Sequence, residues 1–147
     1  MATILLIHGP NLNLLGKRDT ARYGASTLSD IETLVETEAR KSGHEVKTFQ
    51  SNHEGALIDF LQTEAGSAAG VIINPGALTH SSYALHDALV DTGLPTVEVH
   101  LSDIAAREEW RRNSVTAAAC IGQVSGKKEA GYIEALQILL SKLEARS

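Results

Sequence analysis

Aromatic side chains make up only 4 % of this chain, so its core cannot rest on stacked rings and must be aliphatic. Cysteine is scarcer still. The single Cys120 excludes an intrachain disulfide and the multi-cysteine zinc patterns. It lies inside the apolar run Ala117–Ile121 and reads as an inert core thiol. No apolar run approaches the roughly 18 residues that a membrane span requires. Basic charge is also short: 13 Lys and Arg against 18 Asp and Glu leave a net charge of −5. That balance argues against a general nucleic-acid binder, although a few Arg can still act locally on a small anion. The GxxxxGK[ST] and GxGxxG fingerprints, the GxSxG elbow and the HExxH pair are all missing. His80 and His86 stand near two helical turns apart but straddle a helix start, which is a weak metal pattern. Met1-Ala-Thr leads into the first apolar run without a basic segment or cleavage site, so a cytoplasmic protein with no nucleic-acid or membrane partner is expected.

What is present is an alternation. With 43 % hydrophobic residues in 147, the chain suits a single domain spanning 1–147. Thr3–His8 reads as a first strand. Ser29-Asp-Ile-Glu32 matches a capping box, and Ile31, Leu34, Val35 and Ala39 then keep helical period to Lys41, where Ser42-Gly43 ends the helix. Glu45–Gln50 is a second strand, and Asn52 can cap a helix carrying Leu57, Ile58, Phe60 and Leu61. Val71–Ile73 is a third strand, and Ser81 or Ser82 can start the helix Tyr83–Asp91. Thr96–Val99 is a fourth strand, Arg107–Arg112 a brief helix, Ala117–Val124 a fifth strand and Glu129–Glu144 a final helix. Short apolar strands separated by helices imply an α/β fold with a five-stranded parallel sheet covered on both faces. A flavodoxin-like three-layer arrangement with strand order 2-1-3-4-5 is expected.

The polar residues to weigh together follow strands 1, 3 and 4, whose carboxyl ends meet near the topological switch point. Residues 9–26, GPNLNLLGKRDTARYGAS, form a connection far longer than usual and supply Asn11, Asn13, Arg18 and Tyr23. Strand 3 delivers Asn74, then Thr79 and His80; strand 4 delivers Glu98, His100, Leu101 and Ser102. Each has a plain alternative. Asn11 and Asn74 suit turns equally well, Arg18 a solvated surface, and Tyr23 an anchor for its loop. Glu98 and His100 differ, because period two puts them on one face of the strand. A carboxylate there orients the imidazole and favours its protonated form.

The blocks GPNLNLLGKR…YG, INPGALTHSSYALHDAL and EVHLSDI..REEWRR, in this order over residues 4 to about 113, resemble type II 3-dehydroquinate dehydratases. Gly131-Tyr132 adds a weaker echo. The resemblance implies a flavodoxin-like fold and the reversible dehydration of 3-dehydroquinate to 3-dehydroshikimate through an enolate, without metal or cofactor, in aromatic biosynthesis or quinate catabolism. It makes Tyr23 the base at C2, Arg18 its activating neighbour, Asn11 the group steadying the enolate, and His100 the acid, oriented by Glu98. A phenol titrates near 10, so a Tyr base near neutrality calls for a cation beside it. Asn74 would hold His100 and the departing C1 hydroxyl. Leu101 and Ser102 would take the substrate carboxylate, His80 and Arg111 the ring hydroxyls, and Asp87 would reach a neighbouring subunit's site. The loop after strand 1 would close as a lid. A homo-oligomer is implied, a dodecamer built as a tetramer of trimers. His8, Trp110 and the segment 114–130 depart from the family's usual residues without touching these positions. The rival reading is a flavodoxin-like module that binds a phosphate or nucleotide at the 9–24 loop, and it has no glycine fingerprint behind it.

Overall fold

The computed structural model describes residues 2–146. Five parallel strands, β1 (Thr3–His8), β2 (Glu45–Gln50), β3 (Gly70–Asn74), β4 (Thr96–His100) and β5 (Gly122–Ser125), form one sheet in the order β2-β1-β3-β4-β5. The helices are α1 (Thr20–Tyr23), α2 (Leu28–Lys41), α3 (Glu54–Glu64), α4 (Tyr83–Thr92) and α5 (Ala130–Arg146). The expected sheet and its order are what the molecule has.

Alternation along the strands divides the core into two layers. Ile4 and Leu6 of β1, Ile72 of β3 and Val97 and Val99 of β4 pack with Ile31, Val35 and Ala39 of α2 and Ala135, Leu136 and Leu139 of α5. Leu5, Ile7, Val71 and Ile73 point to the opposite face, against Leu57 and Leu61 of α3 and Leu85, Ala88 and Leu89 of α4. Every side chain in β3 is buried, as a central parallel strand requires. Each fully buried Leu, Ile or Val among them contributes about 1.5–3 kcal/mol. No helix among the described residues is long and apolar enough to cross a membrane.

Several boundaries differ from expectation for local reasons. α2 starts at Leu28, capped by Thr27, whose hydroxyl accepts from the Asp30 N–H while Asp30 accepts from the Thr27 N–H; Ser29 lies inside the helix. α3 is preceded by His53 rather than Asn52, because the Asn52 carbonyl oxygen accepts the backbone N–H of Asn11 at 2.9 Å. The run 117–121 is not strand. Ala117–Ala119 form a 3₁₀ turn that packs against α4, and pairing with β4 begins only at Gly122, opposite Val97. The brief helix expected at 107–112 is instead a single 3₁₀ turn, Glu109–Arg111, preceded by another at Ile104–Ala106.

Candidate active site

The cleft lies at the carboxyl ends of β1, β3 and β4. Asn11, Arg18, Tyr23, Asn74, His80, His100, Leu101, Ser102 and Arg111 all line it, together with Arg107. A concave lining with several convergent polar side chains suits a small ligand. Three guanidinium groups around one cleft make it locally positive although the chain is acidic overall.

The loop from Gly9 to Ser26 is built in two parts. Its root is fixed. A Cβ on Gly9 would meet the Pro75 carbonyl oxygen at 2.2 Å, so only glycine lets the two backbones approach so closely. Asn11 sits in the left-handed region at φ 71°, and Leu12 and Leu15 are buried as anchors. The arm beyond them folds over the cleft. The Asp19 carboxylate caps α1 at the Ala21 N–H, 3.1 Å away, and that single turn aims Tyr23 inward. The Arg18 guanidinium stacks over the Tyr23 ring, 3.9 Å from its centroid.

The cation at the phenol oxygen comes from elsewhere. Arg107 Nη1 donates to Tyr23 Oη at 2.9 Å and to Ser102 Oγ at 3.3 Å. No local pattern marks Arg107 for this role; its one signal is its place five residues after Ser102, at the head of the REEWRR block. The two arginines therefore divide the work, Arg18 on the ring face and Arg107 at the hydroxyl.

Across the cleft, His100 Nε2 meets Glu98 Oε2 at 2.9 Å. Glu98 is fully buried, and its surroundings consist of donors. Oε2 accepts from Ser114 at 2.8 Å, Thr79 at 3.0 Å and the Gln123 amide at 2.7 Å, and Oε1 accepts from Thr116. Burial raises the Glu98 carboxyl, but bonds from His100, its charge, and the Thr116 and Ser114 hydroxyls outweigh that and hold it down to about 2. Glu98 is thus an anion throughout the working pH range. These donors come from three other segments, and the divergent 114–130 segment, expected to leave the matched positions untouched, supplies Ser114, Thr116 and Gln123 to Glu98. One signal was available: a Gln in an apolar strand beside a strand that carries a Glu.

Other expected residues fall as follows. Asn74, 3 % exposed, accepts the Gly76 N–H at Oδ1 and donates from Nδ2 to the Tyr132 hydroxyl. His80 Nδ1 bonds the Asn113 carbonyl at 2.7 Å, and its ring meets Trp110 edge-on at 5.3 Å. Arg111 stacks over Trp110 and pairs with Glu108. Asp87 stands away from the cleft on α4, its side chain 75 % exposed and paired with His86. Cys120 is half-buried beside Thr116, and burial with the nearby Glu98 charge pushes its thiol up to about 12.

The sequence model described as Dehydroquinase class II matches residues 2–140. A 3-dehydroquinate dehydratase of Clostridium beijerinckii is 52 % identical over 137 residues, covering 92 % of this chain and 94 % of its own. One from Thermotoga maritima is 50 % identical over 141 residues, 96 % of each chain. The crystal structure of a type II dehydroquinase from Butyrivibrio crossotus superposes with a TM-score of 0.91 at 42 % identity, covering 94 % of this chain and 97 % of that one.

Proposed function

The chain belongs to the class II dehydroquinase family, and from that premise we propose how its cleft dehydrates 3-dehydroquinate to 3-dehydroshikimate. The observation that carries the reading is that one cleft holds a tyrosine between two guanidiniums on one side and a buried Glu–His pair on the other. Tyr23 Oη removes a proton from C2, and the electron pair moves onto the adjacent carbonyl to give an enolate. Arg107 at the oxygen and Arg18 on the ring face set two positive charges beside the oxygen that takes the proton. Asn11, fixed by the Asn52 bond to its backbone, steadies the enolate oxygen through an ordered water.

Collapse of the enolate expels the C1 hydroxyl, and His100 protonates it so that water leaves. His100 turns Nε2 to Glu98, which leaves Nδ1 to face the substrate. The Glu98 carboxylate stabilises the imidazolium that supplies the proton. Asn74 holds the departing hydroxyl. The Leu101 and Ser102 backbone amides and the Ser102 hydroxyl take the substrate carboxylate, while His80 and Arg111 take ring hydroxyls. Asp87, directed outward on α4, suits a contact with the active site of a neighbouring subunit. That contact belongs with a dodecamer built as a tetramer of trimers, working in the cytoplasm in aromatic biosynthesis or quinate catabolism.

The test is direct. Protein mixed with 3-dehydroquinate should generate the ultraviolet absorbance of the conjugated enone without added metal, unaffected by chelator or borohydride. Tyr23→Phe should lower kcat by about a hundredfold or more with folding intact. Near wild-type turnover in that variant removes Tyr23 as the base.

A further inference from the structure

Asn74 is gripped at both ends of its amide, and the grip decides what it offers to a ligand. Oδ1 accepts the Gly76 N–H at 3.0 Å, and Nδ2 donates to the Tyr132 hydroxyl at 3.1 Å. A primary amide has one oxygen and two N–H protons. With the oxygen drawn onto the Gly76 N–H and one proton used on Tyr132, the donor left for the cleft is the second N–H. The grip comes from the core. Tyr132 stands in the first turn of α5, fully buried among Val99, Val124 and Leu136. The His8 ring lies 6.3 Å from the Tyr132 ring. Burial pushes the Tyr132 phenol above its ordinary range, opposed by the Asn74 bond and assisted by the Glu32 charge, so the hydroxyl stays neutral.

We infer that Tyr132 is a positioning residue that fixes Asn74 as a hydrogen-bond donor to the hydroxyl leaving C1. The inference rests on the role given to Asn74 above. A donor on that oxygen stabilises the negative charge it gains as the C1–O bond breaks, and supplements the proton from His100. An amide oxygen turned to the same place would accept the hydroxyl's proton instead and oppose its departure. Gly76 excludes that turned-over amide, because its N–H needs an acceptor. Tyr132 removes the remaining freedom, which is rotation of the nitrogen about the held oxygen.

The test uses the full-length enzyme with Tyr132→Phe, which keeps the buried ring and removes one oxygen. Quinate carries the C1 hydroxyl and shikimate lacks it, so the ratio of their inhibition constants reports the Asn74 contact. In Tyr132→Phe that ratio should fall at least about threefold toward the value in Asn74→Ala, with kcat down about tenfold and KM little changed. The side-chain amide resonances of Asn74 should shift. Adding Tyr132→Phe to Asn74→Ala should have no further effect on the ratio. Asn74→Asp, which keeps acceptors and loses the donor, should forfeit the preference for quinate just as Asn74→Ala does. A variant in which both ligands weaken equally, with the Asn74 resonances unmoved, overturns the inference and leaves Tyr132 a packing residue. If the resonances move but Asn74→Ala keeps the wild-type ratio, the role of Asn74 itself fails, and the inference falls with it for that separate reason.

Discussion

Replacing Glu98 with Gln removes a charge and almost nothing else. The carboxyl is held at about 2 against an ordinary value of 4.5. Each unit is worth about 1.36 kcal/mol, so the ionised form adds about 3 kcal/mol to stability near neutrality. Because the folded value is the depressed one, this contribution is complete above 4.5 and is lost as pH falls through 4.5 toward 2. A glutamine imitates the protonated acid at every pH. Its nitrogen should replace Oε1, which accepts from Thr116 alone, since Oε2 serves four donors and the Thr116 hydroxyl can turn to accept. Urea unfolding of wild type and Glu98→Gln should therefore differ by about 3 kcal/mol at about pH 7, a gap that shrinks by roughly half or more near pH 3. Turnover should drop at least about tenfold, because His100 loses its anionic partner. A gap that stays constant with pH, or that is under about 1 kcal/mol at neutrality, would refute the view that a charged Glu98 organises this side of the cleft.

The two arginines at Tyr23 should separate in kinetics. Arg107→Met removes the donor at the phenol oxygen and should lower kcat by about a hundredfold or more, whereas Arg18→Met removes a ring-face cation and should cost less; equal losses would show that the two contacts are interchangeable. Cys120 should resist iodoacetamide in the folded protein at mildly alkaline pH and react once denatured, as mass spectrometry would record. Rapid modification of the native protein would contradict its burial.

Much of the frame was legible because it depends on local pattern. The apolar runs of β1, β3 and β4 and the single-residue alternation that pairs Glu98 with His100 need no knowledge of the remainder. Where two local patterns compete, tertiary bonds decide. Thr27 with Asp30 and Ser29 with Glu32 both resemble capping boxes, and the first one forms. Asn52 resembles a cap but serves the Asn11 backbone 41 residues away. The apolar 117–121 run imitates a strand because its alanines cover α4 rather than extend the sheet edge. What local pattern does not show is a bond made over a long separation. Arg107 and Tyr23 lie 84 positions apart, and Asn74 and Tyr132 lie 58 apart. No periodicity encodes such a meeting.

The distribution of these partners along the chain has a consequence for synthesis. Every residue of the 9–26 loop emerges from the ribosome before any other wall of the cleft. The groups that restrain the opposite wall come far later: Ser114, Thr116 and Gln123 around Glu98, then Tyr132 behind Asn74. A nascent chain that already holds β1 to β4 still has an unrestrained acid and an unrestrained amide. Catalytic competence therefore arrives last, with the edge strand and the closing helix. A chain that ends before residue 132 lacks both the hydroxyl behind Asn74 and the helix that closes one layer of the core.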